Sequence, residues 1–401
     1  MNIQASNRAR IMTLIGTIFA QFALGSVYTW SLFNAPLADK LSLPVSNVAF
    51  TFGILSLSLA VGSSVSGKLQ DRFGVRNVTI ASGLLIGAGL FLTAQADSLV
   101  MLYVFGGLLV GFADGTGYLM TLSNCVKFFP ERKGLVSALS IGAYGLGSLG
   151  FKFINMYMLT NTDLTLTFDA WGLIAMVLVI IGGLMMKDAP EQVVSTDLNS
   201  APARDFTLAQ AMKSAQFWVL SLIFLTVCMS GLYVIGVAKD VGESYAHLSL
   251  MTAASAVAVI AVANLSGRLV LGVLSDKIER MKVISIALIV CLAGVASLLF
   301  MSLNMWSFYF AVACIAFSFG GTITVFPSLV SDFFGLNNLT KIYGFIYLGF
   351  GIGSIVGSIV ASLMGGFVAT FYLMLALIIV STIVSFMIKL PNKSVELVAA
   401  H

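Results

Sequence analysis

Gly67-Lys-Leu-Gln-Asp71-Arg72 closes one long hydrophobic run of this chain, and Gly272-Val-Leu-Ser-Asp276-Lys277 closes another. The second Asp follows the first by 205 positions in a sequence of 401 residues. Two tight, charged Gly-x-Leu-x-Asp-basic turns at equivalent places in two halves predict a duplicated helical bundle. The repeat extends further. Phe128-Phe129 matches Phe333-Phe334, again 205 apart, and Gly145-Leu-Gly147-Ser148 echoes Gly351-Ile-Gly353-Ser354. Glycine at this density lets helices approach closely in a membrane. Duplicated bundles of this kind build transporters, with a substrate site expected near the midplane where the halves meet.

The composition requires a bilayer. Hydrophobic residues make up 59% of the chain and charged residues 9%, where a soluble domain carries about 25% charged. A mean hydropathy of +1.00 leaves too little polar surface to coat a soluble globule. One helical crossing needs about 20 apolar residues, and twelve runs qualify: 11–33, 47–67, 78–96, 99–123, 134–159, 168–186, 214–237, 247–273, 283–302, 306–330, 342–364 and 367–389. The first is too long, and too soon followed by a second, to be a cleaved signal peptide. The expected fold is therefore all-α and integral to the membrane, with twelve transmembrane helices in two pseudo-symmetric six-helix bundles. The expected divisions are residues 1–186, a polar linker 187–213, and residues 214–401.

Basic residues orient the bundle. The N-terminal tail, the even-numbered connections and the C-terminal tail hold 17 of the 21 Lys and Arg residues, which predicts that both termini are cytoplasmic. Lys40 and Lys239 fall on the opposite side, and Lys152 and Arg268 fall within spans. The net charge of +4 is thus a topology signal and implies no nucleic-acid partner. The partners expected are the lipid bilayer and a small substrate, with a monomer as the default state.

Several chemistries are excluded or have no support. Cys125, Cys228, Cys291 and Cys314 lie within or at the ends of spans without paired spacing, so they read as packing residues and not as a metal or redox site. Gly145-Leu-Gly147-Ser-Leu-Gly150 fits a dinucleotide fingerprint, but it follows no strand and lies inside an apolar run, so helix packing explains it. With two histidines there is no His-Glu-x-x-His zinc site, and no Gly-x-Ser-x-Gly nucleophile turn occurs. No enzyme and no cofactor are expected. No phosphate-cradling loop follows a strand, so the driving energy comes from gradients.

The whole chain resembles the major facilitator superfamily, and within it the oxalate/formate antiporter family, kin to the monocarboxylate porters. The residues that carry the resemblance are Tyr28-Thr-Trp30-Ser, Gly117-Tyr118, Lys127-Phe-Phe-Pro130-Glu-Arg132-Lys133-Gly134-Leu, Asn264-Leu-Ser-Gly-Arg268-Leu-Val-Leu-Gly272, Phe326-Pro327-Ser328 and Asp332-Phe-Phe-Gly335. The resemblance implies a secondary transporter of small carboxylates that alternates access between its two halves. It also implies that the two Asp turns, with Gly67, Asp71, Arg72, Arg76, Gly272, Asp276 and Lys277, latch neighbouring helix ends by ion pairing.

Arg268 is the sharpest candidate for binding such an anion. It lies eight residues before Asp276, about 12 Å up its helix and so near the middle of a hydrocarbon core about 30 Å thick. A guanidinium there costs about 2.5–3.5 kcal/mol on the more lenient insertion scale and stays charged. Its planar fork suits a carboxylate. The alternative is a structural ion pair with Asp114, itself near the middle of the fourth span. Asp114 is equally a candidate proton carrier, and Tyr118 shares its helix face. Tyr28, Trp30, Tyr118, Tyr144, Tyr233, Tyr343 and Tyr347 are candidate walls of a small polar cavity. Lys152 is a second candidate cation, but it stands 18 residues past Gly134, roughly 27 Å up its span, where a lysine reaches interfacial water.

The chain departs from the family at one place. The family's oxalate exchanger has a second cation, a Lys in a Tyr-x-x-Lys-Gly setting on the eleventh span. Here the stretch is Tyr347-Leu-Gly-Phe350-Gly351. One buried cation balances one carboxylate, and oxalate brings two into low dielectric. The expectation is a monocarboxylate such as pyruvate, lactate or formate, moved by proton symport or anion exchange. The alternatives are a dicarboxylate exchanger of the oxalate/formate type and a proton-driven drug exporter.

Overall fold

The protein is described here by a computed structural model covering residues 7–190, 205–364 and 366–390. Every described element is helical. The chain divides into two compact units, Met1–Pro190 with Phe350–Ile355, and Glu191–Gly349 with Val356–His401. The centre of the expected linker, 191–204, lies outside the described residues.

In the first unit the elements are α1 (Asn7–Leu24), a 3₁₀ segment (Gly25–Phe33), α2 (Asn34–Leu41), α3 (Val45–Ala94), α4 (Leu99–Leu102), a π-helical segment (Tyr103–Leu109), α5 (Val110–Phe128), α6 (Lys133–Asn161) and α7 (Leu164–Met185). Polar side chains start the spans where the sequence leaves the apolar run. Ser98 accepts from the Met101 N–H and Asp163 from the Leu166 N–H, each satisfying a donor that the first helical turn leaves open. α3 packs on α5 and α7, and α1 packs on α6 and α7.

Eleven stretches of described helix are long and apolar enough to cross a bilayer, against the twelve runs read from sequence. The difference is α3, which holds the second and third runs as one helical stretch of 50 residues. Gly74 divides it with φ 76° and ψ 158°, a conformation almost confined to glycine that costs a residue with a Cβ about 1–3 kcal/mol. The two runs are therefore two crossings joined at a glycine.

The first span is not uniformly α-helical. From Gly25 to Phe33 it is a 3₁₀ helix, nine residues long where such runs seldom exceed four. Side chains three apart eclipse in this geometry, which puts Val27, Trp30 and Phe33 in one buried row. Phe33 stacks on Trp171 with ring centroids 5.1 Å apart, and the Trp171 indole N–H donates to Ser26 Oγ at 2.8 Å. This aromatic seam on α7 is what rewards the tighter winding.

The second unit comprises α8 (Leu208–Met212), α9 (Ala215–Asp240), a π-helical segment (Val241–Tyr245), α10 (Leu250–Leu274), α11 (Arg280–Phe300), α12 (Met305–Phe334), α13 (Leu339–Ile346), α14 (Leu348–Met364) apart from its Phe350–Ile355 stretch, and α15 (Phe367–Met387). Its apolar core lies among α9, α11, α12 and α15, with Val295, Phe308, Ile315, Phe371 and Met374 fully or almost fully buried. The linker's far end docks on this unit: the Phe206 N–H donates to the Phe334 carbonyl at 2.8 Å, and Asn337 Nδ2 donates to Asp205 at 3.0 Å. Asn304 caps α12 by accepting from both Trp306 and Ser307. The eleventh run is divided at Tyr347, between α13 and α14.

Candidate functional site

Arg268 is carried by α10, which crosses α12 at backbone contact. A Cβ on Gly267 would lie 2.0 Å from the Phe317 carbonyl oxygen, and one on Gly320 would lie 2.3 Å from that of Asn264. Small residues at this crossing bring the helices together, and they set Arg268 against the α12 backbone. The side chain is 5% exposed. Its Nε donates to Asn264 Oδ1 at 2.8 Å, one helical turn away, and Asn264 Nδ2 in turn donates to the Ala316 carbonyl at 3.4 Å. A bond to a charged donor contributes about 1.5–3 kcal/mol. Engagement at Nε also fixes the plane of the guanidinium, whose Nη edge is the one that matches a carboxylate in bidentate geometry.

In the same unit Phe224 gathers three rings: Phe326 at 4.8 Å, Tyr347 at 5.5 Å and Tyr343 at 5.9 Å between centroids. Tyr347 therefore belongs to a polar-edged aromatic cluster. Tyr233 does not join it. It sits in the apolar core on α9, with its ring 6.3 Å from that of Phe371. Phe350, the third residue of α14 and grouped with the first unit, is 1% exposed.

The first unit holds a second constellation. Asp114, on α5, is fully buried, and Tyr144 on α6 donates its hydroxyl to Asp114 Oδ2 at 2.8 Å. Among the described residues Asp114 Oδ1 has no hydrogen-bond partner, and no cation of the same unit pairs with the carboxyl. Tyr28 and Tyr118 each present a ring edge-to-face to Tyr144, at 5.3 and 5.1 Å between centroids. Asp114, Tyr28, Tyr118 and Tyr144 thus form one cluster drawn from three spans. Trp30 lies elsewhere: it is fully buried in the α7 seam, 6.4 Å from Trp171, and its indole N–H has no partner. Lys152 is exposed on α6, on a face that also exposes Phe153, Met156 and Tyr157.

The two Asp turns are built differently. In the second unit Arg280 donates to Asp276 Oδ1 at 3.0 Å and to Asp332 Oδ2 at 2.5 Å, tying α11 to the ends of α10 and α12. Lys277 is exposed beside this pair and Gly272 is buried beneath it. In the first unit Asp71, Arg72 and Arg76 are exposed around the Gly74 break, Gly67 is buried, and Arg72 lies 5.2 Å from the Phe73 ring. The break is held by Asp188, which follows α7: its Oδ1 accepts from the Val75 N–H at 2.9 Å and from Gln70 Nε2 at 3.3 Å. Asn124 on α5 clasps the same segment, donating to the Lys187 carbonyl and accepting from the Ala189 N–H, both at 2.9 Å.

Sequence reasoning named neither Asp188 nor Asn124 nor Arg280 as a latch residue. The i,i+4 spacing of Asp276 and Arg280 was the available signal for one of them. At the same end of the first unit, Arg10 bonds Glu131 and lies 4.6 Å from the Phe129 ring. Partial burial pushes the Glu131 carboxyl up. Hydrogen bonds from its own backbone and from Arg10, with the charges of Arg10 and Arg132, outweigh this and hold it below its ordinary value.

Described residues that are helical throughout, with eleven stretches long and apolar enough to cross a bilayer, define a polytopic membrane protein. The chain belongs to the Major Facilitator Superfamily, whose family model matches residues 13–346. It is 64% identical to an uncharacterized MFS-type transporter, YhjX, of Escherichia coli (strain K12), over 87% of this chain and 86% of that one. It is 28% identical to the oxalate:formate antiporter of Oxalobacter formigenes, over 82% and 79% of the two chains. Among solved structures, a bacterial homologue of the iron transporter ferroportin in an outward-facing state superposes with a TM-score of 0.74 at 13% identity, covering 95% of this chain and 99% of that one. The chain is thus a multi-pass secondary transporter and not an enzyme.

Proposed function

We propose that this transporter moves a small monocarboxylate, such as pyruvate, lactate or formate, across the bacterial cytoplasmic (inner) membrane, with both termini on the cytoplasmic side. The observation that carries the reading is Arg268: a guanidinium 5% exposed, oriented by Asn264 through Nε. A permanent charge in such a place marks a substrate pathway, and its planar fork suits an anion. Substrate binding neutralises it and lowers the cost of the occluded state through which alternating access passes. The likeness to the oxalate:formate antiporter supports a carboxylate. Phe350, standing where that family's exchanger has a second cation, favours one negative charge over two.

Asp114 supplies the coupling. A buried carboxyl with one oxygen unpartnered and no cation of its own unit beside it is built to take up and release a proton, giving symport. The basic residues of the tails and even-numbered connections support the orientation, and the relationship to YhjX of Escherichia coli supports the inner membrane.

The test is uptake of labelled pyruvate, formate and oxalate into proteoliposomes, with an inward proton gradient or with unlabelled substrate inside. Arg268→Gln is expected to lower monocarboxylate uptake about 30-fold or more, since removing one partner of a buried charge pair costs 2 kcal/mol or more. Phe350→Lys is expected to raise oxalate uptake. Normal transport by Arg268→Gln, or no anion transport by the wild type, would overturn the carboxylate reading in favour of a proton-driven exporter.

A further inference from the structure

The crossing that holds Arg268 is built twice in this chain. In the second unit a Cβ on Gly320 would lie 2.3 Å from the Asn264 carbonyl oxygen, and one on Gly267 would lie 2.0 Å from that of Phe317. In the first unit a Cβ on Gly115 would lie 1.8 Å from the Leu59 carbonyl oxygen, and one on Gly62 would lie 2.4 Å from that of Phe112. Asn264 follows Leu59, Gly267 follows Gly62, Phe317 follows Phe112 and Gly320 follows Gly115, each by 205 positions. α3 thus meets α5 through the same backbone contacts by which α10 meets α12, repeated at the distance that separates the two Asp turns. The side chains that flank the two crossings differ.

Where the second unit has Asn264 and Arg268, the first has Leu59 and Ser63, both buried. Ser63 Oγ donates to the Gly115 carbonyl at 3.0 Å, and Leu59 packs at its place without a polar group. Helices that meet in this way therefore do not need an amide where Asn264 stands, and packing does not account for it. A polar side chain taken out of water costs free energy unless it is hydrogen-bonded, so its bonds are the explanation. Asn264 Oδ1 accepts from Arg268 Nε at 2.8 Å, and Asn264 Nδ2 donates to the Ala316 carbonyl on α12 at 3.4 Å. The amide is tethered to the α12 backbone at one end and presents an oxygen to the guanidinium at the other.

Resting on the carboxylate reading above, we infer that Asn264 is the specificity-determining positioning residue of the Arg268 site: it closes the Nε edge of the guanidinium, and does so without adding charge. A guanidinium can grip a carboxylate through its two Nη atoms or through Nε and one Nη. With Nε committed to the amide, the substrate is received by the Nη pair, in the plane that Asn264 sets. A planar carboxylate matches that fork with both oxygens. A tetrahedral oxyanion such as a sulfonate carries an oxygen out of the plane, so a fixed plane favours it less. Because the acceptor is an amide and not a carboxylate, Asn264 orients Arg268 without neutralising it. The selectivity that results is for a planar anion of single charge, and the residue that sets it acts through Arg268 and not on the substrate.

The experiment is counterflow exchange of labelled pyruvate and of labelled formate in proteoliposomes, competed by the same unlabelled carboxylate or by methanesulfonate, with the thermal midpoint of each purified protein measured alongside. Wild type, Asn264→Leu, Asn264→Asp and Arg268→Gln are compared. Asn264→Leu gives α10 the residue that α3 already carries at the equivalent point, so its midpoint is expected to stay close to that of the wild type. Its half-saturation for the carboxylate is expected to rise about two- to tenfold, the cost of ordering one long side chain on binding. Competition by methanesulfonate is expected to change less, so the preference for the carboxylate narrows. Asn264→Asp keeps the shape and the acceptor on Nε but adds a negative charge, and is expected to weaken carboxylate binding more than Asn264→Leu does. A residue that only filled space would give the opposite order, because Asp is the closer match in size. If Asn264→Leu keeps the wild-type half-saturation, or loses affinity for both anions by the same factor, Asn264 does not determine specificity. Normal exchange by Arg268→Gln, or no carboxylate exchange by the wild type, overturns the carboxylate reading and this inference with it.

Discussion

Replacing Gly267 by Ala tests whether the α10–α12 crossing is what positions Arg268. The added Cβ would lie 2.0 Å from the Phe317 carbonyl oxygen, where real contacts stay above 3.0 Å, so the helices must part by about 1 Å. The neighbour is backbone and cannot rotate away. Overpacking of this kind costs about 1–3 kcal/mol, set against about 1 kcal/mol gained from the better helix propensity of Ala. The expected net effect is a loss of up to about 2 kcal/mol, which combines those two terms. Gly142 on α6 is the control, because a Cβ there meets nothing within 4 Å. Gly142→Ala keeps the propensity gain alone and is expected to stabilise by up to about 1 kcal/mol. The assay is the midpoint of thermal unfolding of the purified protein in one detergent, with substrate half-saturation measured alongside. Gly267→Ala should melt lower, Gly142→Ala at or above the wild type, and Gly267→Ala alone should bind substrate more weakly as Arg268 shifts with α10. Equal shifts in the two variants, or a Gly267→Ala protein with wild-type stability and affinity, would refute the reasoning.

Three further outcomes are expected. Gly74→Ala should destabilise by about 1–3 kcal/mol through its backbone conformation, with a further penalty because its Cβ would lie 2.9 Å from Asp188 Oδ2; a wild-type melting midpoint would count against the helix break. Arg280→Gln leaves Asp276 and Asp332 facing each other without their shared cation; it should lower the midpoint, and adding Asp332→Asn should recover part of the loss, an outcome a double-mutant cycle reads directly. The Glu131 carboxyl is held below its ordinary value of 4.5, so its pairing with Arg10 contributes above that pH and is lost as pH falls through the lowered value. The pair is substantially exposed and screened, so the contribution is a few tenths of a kcal/mol, and Glu131→Gln should narrow the stability difference between pH 7 and pH 3.5 by no more than that.

Hydropathy made the crossings legible, because hydrocarbon imposes a length on every helix that traverses it. It did not show that two crossings share one helical stretch through Gly74, since a glycine after a charged turn reads equally as a loop. Arg268 was named from its depth in an apolar run, but its bond to Asn264 was not, although their i,i+4 spacing was the available signal. Asp114 and Tyr144 were both named, yet their hydrogen bond joins residues 30 apart on different helices, and nothing in a single sequence pairs them. Asp188 was hidden for the same reason: its partners are Gln70, 118 residues away, and the backbone of Val75. Trp30 was expected on a cavity wall as one of several aromatic side chains able to line a small polar cavity. The period-three row of Val27, Trp30 and Phe33 was the overlooked signal, for it marks a helix wound more tightly than α and turned toward α7.

That winding sets the register of the first span. Nine residues of 3₁₀ helix rise about 18 Å, where α-helix would rise about 13.5 Å, and they accumulate about half a turn more rotation. The 3₁₀ segment therefore works as a phase plate between two anchors, Gln21 bonded to α5 on one side and Lys40 bonded to the Ala94 carbonyl at 2.7 Å on the other. Were those nine residues to relax to α-helix, one anchor would have to slip about 4.5 Å and swing to the opposite face. The bond from Trp171 to Ser26 is what keeps the span's two ends in phase.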